Sequence, residues 1–244
     1  MSVLGVIPAR FGSTRFPGKP LALIAGKSLV QRVWERARAA VRLDGLVVAT
    51  EDGRIVEHVA SFGGQAVLTS AAHQSGTDRL GEVAQAQVYD YYVNIQGDEP
   101  LVSPGAIDAL IGATLPRGAA MSTLVTPLPE GSPDVGNPNA VKVVRDKDGY
   151  ALYFSRSPVP YARNAPQAPY LKHIGIYMYS RQTLGALCAL PPAQIELTES
   201  LEQLRALHNG IRILTVDTDY DPVAVDVPED IARAEARLRE LGIS

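Results

Sequence analysis

The sequence predicts an α/β fold, in which a mostly parallel, twisted sheet is flanked by helices and carries an antiparallel insertion. Short apolar runs alternate with segments of helical spacing along the first half of the chain. This alternation is typical of right-handed βαβ units, whose strands run parallel. In the second half, two strand-like runs flank residues 146–149, which end in a glycine and indicate a hairpin with antiparallel pairing.

The elements of the first half follow from apolar spacing and from residues that end helices. Residues 3–7 form a short β-branched run, which predicts a buried strand. Ser28 suits an N-cap, and Gly63 with Gly64 suits a helix end. The predicted strands are 3–7, 46–49, 66–68, 91–95 and 121–126, and the predicted helices are 28–40, 54–62, about 77–87 and 104–114.

The second half changes character and is richer in strand and proline. It is predicted to contain hairpin strands at 141–145 and 150–155, a strand at 172–179, a helix at 198–208, a strand at 211–216 and a helix at 228–241. We interpret the chain as one domain, 1–244. In it, residues of about 141–180 form the insertion, which covers the site or builds a dimer interface.

Composition and charge limit the classes of function. The chain has 244 residues, 46% of them hydrophobic, enough for the core of one large domain. A net charge of −3 gives no general attraction to nucleic acid. The single cysteine, Cys188, excludes a disulfide framework and a thiol-based zinc site. No apolar stretch approaches the roughly 20 residues that cross a bilayer, and no secretory leader is recognisable, so a cytoplasmic location is expected.

The loop after the first strand concentrates groups that suit a phosphate. It carries the cations Arg10, Arg15 and Lys19 and the hydroxyls of Ser13 and Thr14. Its glycines allow close backbone approach and its prolines stiffen the path. Such a loop at the end of an N-terminal strand suits a triphosphate, and the alternative is a surface loop with scattered charges. Its spacing matches neither the dinucleotide nor the Walker A signature.

Three acidic or polar positions near predicted strand and helix ends have two interpretations each. In the polar segment 73–79, Thr77 or Ser75 suits an N-cap, but the density of donors equally suits a ligand. Asp98 follows a central strand, at the edge where such sheets place ligands, and is a candidate for Mg²⁺ against the alternative of a turn cap. Asp226 is either a neighbour of a helix cap or a second metal carboxylate, and its surroundings in the sequence favour neither.

Two further groups of side chains share a face. His173 and Tyr177 alternate on one face of their predicted strand. Glu202 and Gln203 share a predicted helical face with Glu199, for which a solvated charged face is the favoured interpretation.

Several segments spread along the chain form a recognisable set. They read IPAR at 7–10, STR at 13–15, PGKP at 17–20, HQSGTDR at 73–79, NIQGDEP at 94–100, NPNAVK at 137–142, YFSR at 153–156, HIGIY at 173–177, LEQLR at 201–205 and DVPED at 226–230. Taken together, they resemble the sugar-acid cytidylyltransferase family. The first loop is shared with wider nucleotidyltransferases, whereas the later segments are similar to the branch that uses 3-deoxy-D-manno-octulosonate (Kdo).

The resemblance implies a Rossmann-like nucleotidyltransferase fold and assigns roles by position. It implies catalytic roles for Arg10, Lys19, Asp98 and Asp226, with Mg²⁺ bound by the two aspartates. It implies nucleotide binding by Ala9, Arg10, Ser13, Thr14, Lys19, Gln74, Ser75, Gly76 and Gln96. It implies substrate binding by Arg79, Arg156, His173, Tyr177, Glu202 and Gln203.

The activity that the resemblance implies is CMP transfer from CTP to Kdo, which activates Kdo for lipopolysaccharide biosynthesis, in a homodimer. Tyr161, Met178 and the run AVDVP at 224–228 depart from the family pattern and leave room for another acid sugar. The alternatives are therefore a cytidylyltransferase for 8-amino-Kdo or sialic acid, and a nucleotide-sugar glycosyltransferase. A third alternative is a nucleotide-sensing module. The presence of all four implied catalytic residues argues against it.

Overall fold

A computed structural model describes residues 1–12, 15–73, 75–164 and 168–243. Three of the predicted nucleotide-binding residues, Ser13, Thr14 and Gln74, lie outside the described residues. The chain divides into two compact units. Unit 1 comprises Met1–Asp108 and Pro222–Ser244, and unit 2 comprises Ala109–Asp221. The interpretation of the chain as one domain with an insertion stays a prediction.

Unit 1 is built from strands and helices that alternate along the chain, as the sequence predicts. Its strands are β1 (Val3–Pro8), β2 (Leu23–Ile24), β3 (Lys27–Ser28), β4 (Gly45–Thr50), β5 (Ala66–Leu68) and β6 (Tyr91–Asn94). Its helices are α1 (Leu29–Arg38), α2 (Gly53–Ser61), α3 (Gly76–Ala86) and the start of α4 (Pro104–Arg117), with the last helix of the chain, α8 (Asp230–Glu240).

The main sheet of unit 1 is parallel throughout. β1 pairs with β4 on one side and β6 on the other, and β5 extends the sheet beyond β4. Val6 and Ile7 in β1, Val48 in β4 and Val93 in β6 have no exposed surface. Because β1 is paired on both sides and buried on both faces, its carboxyl end is held firmly at the edge where parallel sheets place ligands.

Helices α1 and α3 begin at residues whose side chains accept backbone N–H groups. Ser28 caps α1 by accepting the N–H of Gln31 at 3.2 Å. Ser75 and Asp78 form a reciprocal capping box at α3. The predicted cap at Ser28 is therefore confirmed, and of the two candidates for α3 the cap is Ser75 and not Thr77. For Ser75, capping proves compatible with a place in the site described below.

Unit 2 contains the antiparallel part of the fold. Its strands are β7 (Met121–Pro127), β8 (Lys142–Arg145), β9 (Ala151–Ser155), β10 (Leu171–Ser180) and β11 (Ile213–Asp217), and its helices after α4 are α5 (Arg181–Ala189), α6 (Gln194–Glu199) and α7 (Gln203–His208). β10 runs antiparallel to β7 and to β8, while β11 runs parallel to β7. The predicted hairpin is confirmed, because β8 and β9 pair antiparallel and Gly149 takes a left-handed φ of 85°.

The single helix predicted at 198–208 is wrong. The structure has two short helices, α6 and α7, separated at Ser200, which adopts a left-handed φ of 51°. The N–H of Leu201 turns back to the carbonyl of Glu196, which closes α6. Helix α5 and the small hairpin of β2 and β3 were not predicted. In the described part of the chain, no helix is both long enough and apolar enough to cross a membrane.

Candidate functional site

A polar cavity of about 300 Å³ lies in unit 1, beyond the ends of β1 and β6. It gathers every described residue that was predicted to bind nucleotide or metal, together with Arg79. These are Ala9, Arg10, Lys19, Ser75, Gly76, Arg79, Gln96, Asp98 and Asp226. Arg15 also lines the cavity. Its charge marks it in the sequence as a cation of the loop, but the resemblance implies no role for it.

Lys19 joins the two aspartates in the cavity. Its Nζ donates to Asp98 Oδ2 at 3.1 Å and lies 3.5 Å from Asp226 Oδ1. Arg15 Nη2 approaches the same Asp226 oxygen at 3.2 Å. The side chains of Asp98 and Asp226 are 31% and 44% exposed, so both carboxylates are open to a ligand from the cavity.

Backbone contacts bring these two aspartates together although 128 positions separate them. The N–H of Val225 donates to the carbonyl of Asp98 at 2.9 Å. Asp230 then accepts the N–H groups of Asp226 and Val227, at 2.8 and 3.1 Å. Burial raises the pKa of Asp230, but these two N–H groups outweigh it and hold the pKa below its ordinary value. Asp230 is therefore the residue that caps this turn, and Asp226 points its carboxylate at Lys19.

Gly97 allows the end of β6 to pack against the end of β1. A Cβ at this position would lie 2.2 Å from the carbonyl oxygen of Pro8, far inside van der Waals contact. Gly76 also packs on Pro8, with 3.4 Å from its would-be Cβ to the proline Cγ. These close approaches draw Gln96, Asp98 and the start of α3 into the same cavity.

The donor set fits a hard divalent cation bound by two carboxylates and by substrate oxygens. Asp98 and Asp226 converge on one ammonium group, so their oxygens already surround a position occupied by positive charge. Mg²⁺ is commonly bound by one or two carboxylates with phosphates and water completing its shell. Among the described residues, no group of three or more His, Cys, Asp and Glu could hold a metal without such help.

Arg79 lines the cavity, and contacts with Thr69 and Glu51 hold its guanidinium in place. Its side chain is 1% exposed, its Nη1 donates to Thr69 Oγ1, and its Nη2 lies 3.0 Å from Glu51 Oε2. Its Nε has no hydrogen-bond partner within the part of the chain that the structure describes. Whether it contacts a sugar, as the resemblance implies, stays a prediction.

The other candidate sugar-binding residues lie in unit 2, where three aromatic rings stack along β10. The rings of His173 and Tyr177 are 5.3 Å apart, and those of Tyr177 and Tyr179 are 5.9 Å apart and nearly parallel. Phe154 meets the other side of His173 edge-on at 5.2 Å. The prediction that His173 and Tyr177 share a face is confirmed.

Burial favours the neutral forms of two members of this stack, His173 and Tyr177. Burial lowers the pKa of His173 to about 3. Its Nε2 lies 3.1 Å from the hydroxyl of Thr123, which lies 2.9 Å from the carbonyl of Ile176, an arrangement in which the ring donates and the hydroxyl donates onward. Burial raises the pKa of Tyr177 well above its ordinary value, and Tyr179 and Glu202 add to that shift. The stack is therefore aromatic and uncharged, and sugar binding by its residues stays a prediction.

Glu202 and Gln203 lie at the start of α7, and the interpretation as a solvated charged face is wrong for Gln203. Its side chain belongs to a residue only 6% exposed, and its Nε2 has no hydrogen-bond partner among the described residues. Buried amides are normally paired, so an amide in this state points to a polar group that it meets when a ligand is present. Glu202 is half-buried, and its charge acts on Tyr177.

Arg156 is tied into the structure of unit 2. Its guanidinium donates to the carbonyls of Glu199 at 2.6 Å, Pro138 at 2.9 Å and Ser200 at 3.1 Å. Its own carbonyl accepts Nζ of Lys142, a lysine with no exposed surface, at 2.7 Å. Three of its five N–H donors are thus used on backbone, and sugar contact through the others stays a prediction.

Comparisons with known proteins agree with the resemblance. The family described as cytidylyltransferase matches residues 4–213. A 3-deoxy-manno-octulosonate cytidylyltransferase from Syntrophotalea carbinolica is 48% identical, covering 99% of this chain and 100% of that protein. One from Solibacter usitatus is 47% identical, covering 95% and 92%.

Solved structures give the same result. A CMP:2-keto-3-deoxy-manno-octonic acid synthetase, solved in complex with CTP, has a TM-score of 0.94 and 41% identity, covering 99% of this chain and 100% of that one. A cytidylyltransferase from Leptospira borgpetersenii, at 17% identity and a TM-score of 0.67, covers 98% of this chain and 87% of that one and shares the fold. The α/β fold predicted from the sequence is confirmed.

Proposed function

The chain belongs to the cytidylyltransferase family, and from that premise we propose that it transfers CMP from CTP to Kdo, giving CMP-Kdo and pyrophosphate. It is a nucleotidyltransferase. The observation that carries the proposal is the meeting of cations and carboxylates in one cavity at the ends of β1 and β6. The near full-length relatives named for Kdo support the choice of sugar acid.

In the proposed reaction, a hydroxyl oxygen of Kdo bonds to the α-phosphorus of CTP. The bond from that phosphorus to the bridging oxygen breaks, and pyrophosphate leaves with the electron pair, while the hydroxyl proton passes to water. Such chemistry needs positioning and charge neutralisation more than covalent help. Arg10 and Lys19 would offset the charge of the triphosphate, and Arg15 lies beside them in the same cavity.

Nucleotidyltransferases typically use a metal ion, and we propose that here it is Mg²⁺ held by Asp98 and Asp226. When bound, Mg²⁺ would supply positive charge at the phosphates. The two aspartates would hold it, and Lys19 would move from them toward a phosphate oxygen.

Unit 2 would supply the sugar contacts. We propose that His173 and Tyr177 contact the sugar ring as neutral groups, and that Glu202 and Gln203 bind its hydroxyls. Neutral His173 and Tyr177 would add no charge of their own at the carboxylate of Kdo.

The test is pyrophosphate release from CTP and Mg²⁺, with Kdo, 8-amino-Kdo or sialic acid supplied in turn. Release with Kdo is expected. Release only with another acid would keep the chemistry and change the sugar, and silence with all three in folded protein would contradict the function.

Asp98→Asn tests the role of the carboxylate within that assay. We expect turnover to fall about 100-fold or more, because a charge at the reacting phosphates is lost, while the thermal unfolding midpoint stays close to that of the parent. Asp219→Asn, the same change at an exposed position of unit 2, is the matched control and should keep full turnover. Near-normal turnover of Asp98→Asn with ordinary Mg²⁺ dependence would remove Asp98 from the site.

A cytoplasmic location and a homodimer, both expected from the sequence, stay predictions. Residues of about 141–180, the insertion expected to cover the site or build a dimer interface, expose two large hydrophobic side chains, Leu152 at 62% and Tyr161 at 87%. Exposed apolar side chains in one segment are compatible with an interface between copies.

A further inference from the structure

Phe11 ties together the two ends of the basic loop in unit 1. Its N–H donates to Glu51 Oε1 at 2.9 Å, and its carbonyl accepts the N–H of Gly18 at 3.0 Å. The Arg54 guanidinium lies 3.5 Å from the centre of the Phe11 ring, at a distance typical of cation–π contact. Gly18 has a left-handed φ of 72°, and a Cβ there would lie 3.3 Å from the same ring. Phe11 thus fixes the point from which Lys19, the next residue after Gly18, extends.

Glu51 contacts two parts of the site at once. It follows β4 directly, and its side chain is 16% exposed. One oxygen accepts the N–H of Phe11, and the other lies 3.0 Å from Nη2 of Arg79. The second contact is an ion pair without hydrogen-bond alignment. Glu51 does not itself line the cavity, so any effect on a ligand passes through Phe11 and Arg79.

Arg79 requires a counter-charge because it is almost fully buried. Burial lowers the pKa of its guanidinium, Glu51 opposes that shift, and Arg10 adds to it. A buried charge left without its partner is strongly destabilising. The carboxylate of Glu51 therefore keeps a cation in place at the cavity wall while its other oxygen holds the loop.

We infer that Glu51 is a positioning residue for the nucleotide, which sets the basic loop through the Phe11 amide and sets Arg79 through an ion pair. This inference rests on the proposed function, since it takes the loop to bind the triphosphate of CTP. Neither the sequence segments nor the family resemblance assigns Glu51 a role. Its position, one residue beyond a buried strand and some 40 residues from the loop, is visible only in the fold.

Two substitutions separate the two contacts. Glu51→Gln keeps an oxygen for the Phe11 amide and removes the charge facing Arg79, whereas Glu51→Ala removes both. We expect the KM for CTP to rise about 3-fold in Glu51→Gln and about 10-fold or more in Glu51→Ala, from the strengths of neutral and charged hydrogen bonds. The KM for Kdo should stay unchanged. A residue that merely supported folding would reduce kcat through the folded fraction and leave both KM values unchanged.

A second readout does not depend on catalysis. Hydrogen–deuterium exchange of the Phe11 amide should accelerate in Glu51→Ala, in the absence of any nucleotide, and stay slower in Glu51→Gln. Glu57→Gln and Glu57→Ala, the same changes at an exposed position on α2, are the matched controls and should leave exchange and both KM values as in the parent. If Glu51→Ala does not fold, Glu51→Gln alone carries the test, and a KM for CTP equal to that of Glu57→Gln would then overturn the inference.

Failure of this inference can be told from failure of the proposed function. A parent enzyme that releases no pyrophosphate from CTP contradicts the function, whatever the variants do. An active parent whose Glu51 variants match the Glu57 controls in KM for CTP and in Phe11 exchange overturns the inference alone.

Discussion

At the scale of single residues, Lys19 governs the charge of the cavity. Its ammonium lies between Asp98 and Asp226, where its single positive charge offsets part of the repulsion between the two carboxylates. A divalent cation would compete with the ammonium for the two carboxylates. The phosphates of a triphosphate would compete with the carboxylates for the ammonium.

Lys19→Met should therefore change metal and nucleotide binding in opposite directions. With no nucleotide present, Mn²⁺ binding, followed by electron paramagnetic resonance, should tighten about 3-fold or more, because a competing cation has been removed. CTP binding, followed by calorimetry, should weaken about 10-fold or more, because a charged hydrogen bond is lost. Lys27→Met removes a lysine that pairs with Glu35 and should change neither quantity. Weaker Mn²⁺ binding in Lys19→Met would show that the ammonium does not compete for the aspartates.

His173 should make stability depend on pH. Its pKa is lowered to about 3 in the folded chain, against about 6.5 when unfolded, so the unfolded state binds more protons between these values. Stability conferred by the neutral ring is therefore complete above about pH 6.5 and is lost as the pH falls toward 3, at up to about 1.4 kcal/mol per pH unit.

The measurement is urea unfolding at pH 7 and pH 5. We expect the parent to lose up to about 2 kcal/mol more than His173→Gln over this interval. His208→Gln, the same change at an exposed position of α7, should keep the pH dependence of the parent. An equal pH dependence in the parent and His173→Gln would mean that His173 is protonated as easily in the folded chain as in the unfolded one.

At the scale of elements, unit 2 depends on a buried lysine that joins strand to turn. Lys142 at the start of β8 has no exposed surface, and its Nζ donates to the carbonyls of Asn137, Ala140 and Arg156 at 2.8, 2.6 and 2.7 Å. Burial lowers its pKa, an effect that Asp134 opposes. Three carbonyls from two stretches of chain are satisfied by one ammonium group.

Lys142→Met should destabilise the fold by about 2–4 kcal/mol, because several buried carbonyls lose their donor. Lys147→Met, in the hairpin between β8 and β9 at 88% side-chain exposure, should change stability by less than about 0.5 kcal/mol. Both values come from urea unfolding at one pH. A loss below about 1 kcal/mol in Lys142→Met would mean that water replaces the ammonium at these carbonyls.

The elements that the sequence predicted are those with local signals. Ser28 and Ser75 mark helix starts by chemistry that acts over three residues, and Gly149 marks a hairpin by its own backbone. The break between α6 and α7 has no such signal. A serine does not by itself favour a left-handed backbone. The carbonyl of Ser200 accepts a hydrogen bond from Arg156, 44 positions away. The spacing of Glu202 and Gln203 could not reveal that break.

The site shows the same division. The loop cations and the carboxylate of Asp98 were predictable because their positions follow from the topology of a parallel sheet. The ion pair between Arg79 and Glu51 was not, because it joins helix α3 to the residue after β4, and local sequence does not show which buried charges face each other. The residue that caps the turn at Asp226 could be identified only from the contacts of Asp230, since either aspartate suits a helix start. Metal binding by Asp226 stays a prediction.

At the scale of the whole molecule, the property to be tested is the predicted homodimer. The prediction of a homodimer can be tested at Tyr161. Tyr161→Glu should shift the sedimentation coefficient from dimer toward monomer, because a charge in an apolar interface must be desolvated. Val88→Glu, at another exposed apolar side chain and in unit 1, should leave the assembly unchanged. A parent that sediments as a monomer at micromolar concentration would contradict the homodimer.

The complete burial of Lys142 also makes this residue a probe for local opening of unit 2. An amine that is out of contact with solvent and engaged by three acceptors cannot be acylated until that part of unit 2 opens. Exposed amines such as that of Lys147 react at once and set the reference rate. Mass spectrometry of the peptide that carries Lys142, after timed exposure to an amine-reactive reagent, therefore reports how readily that part of unit 2 opens.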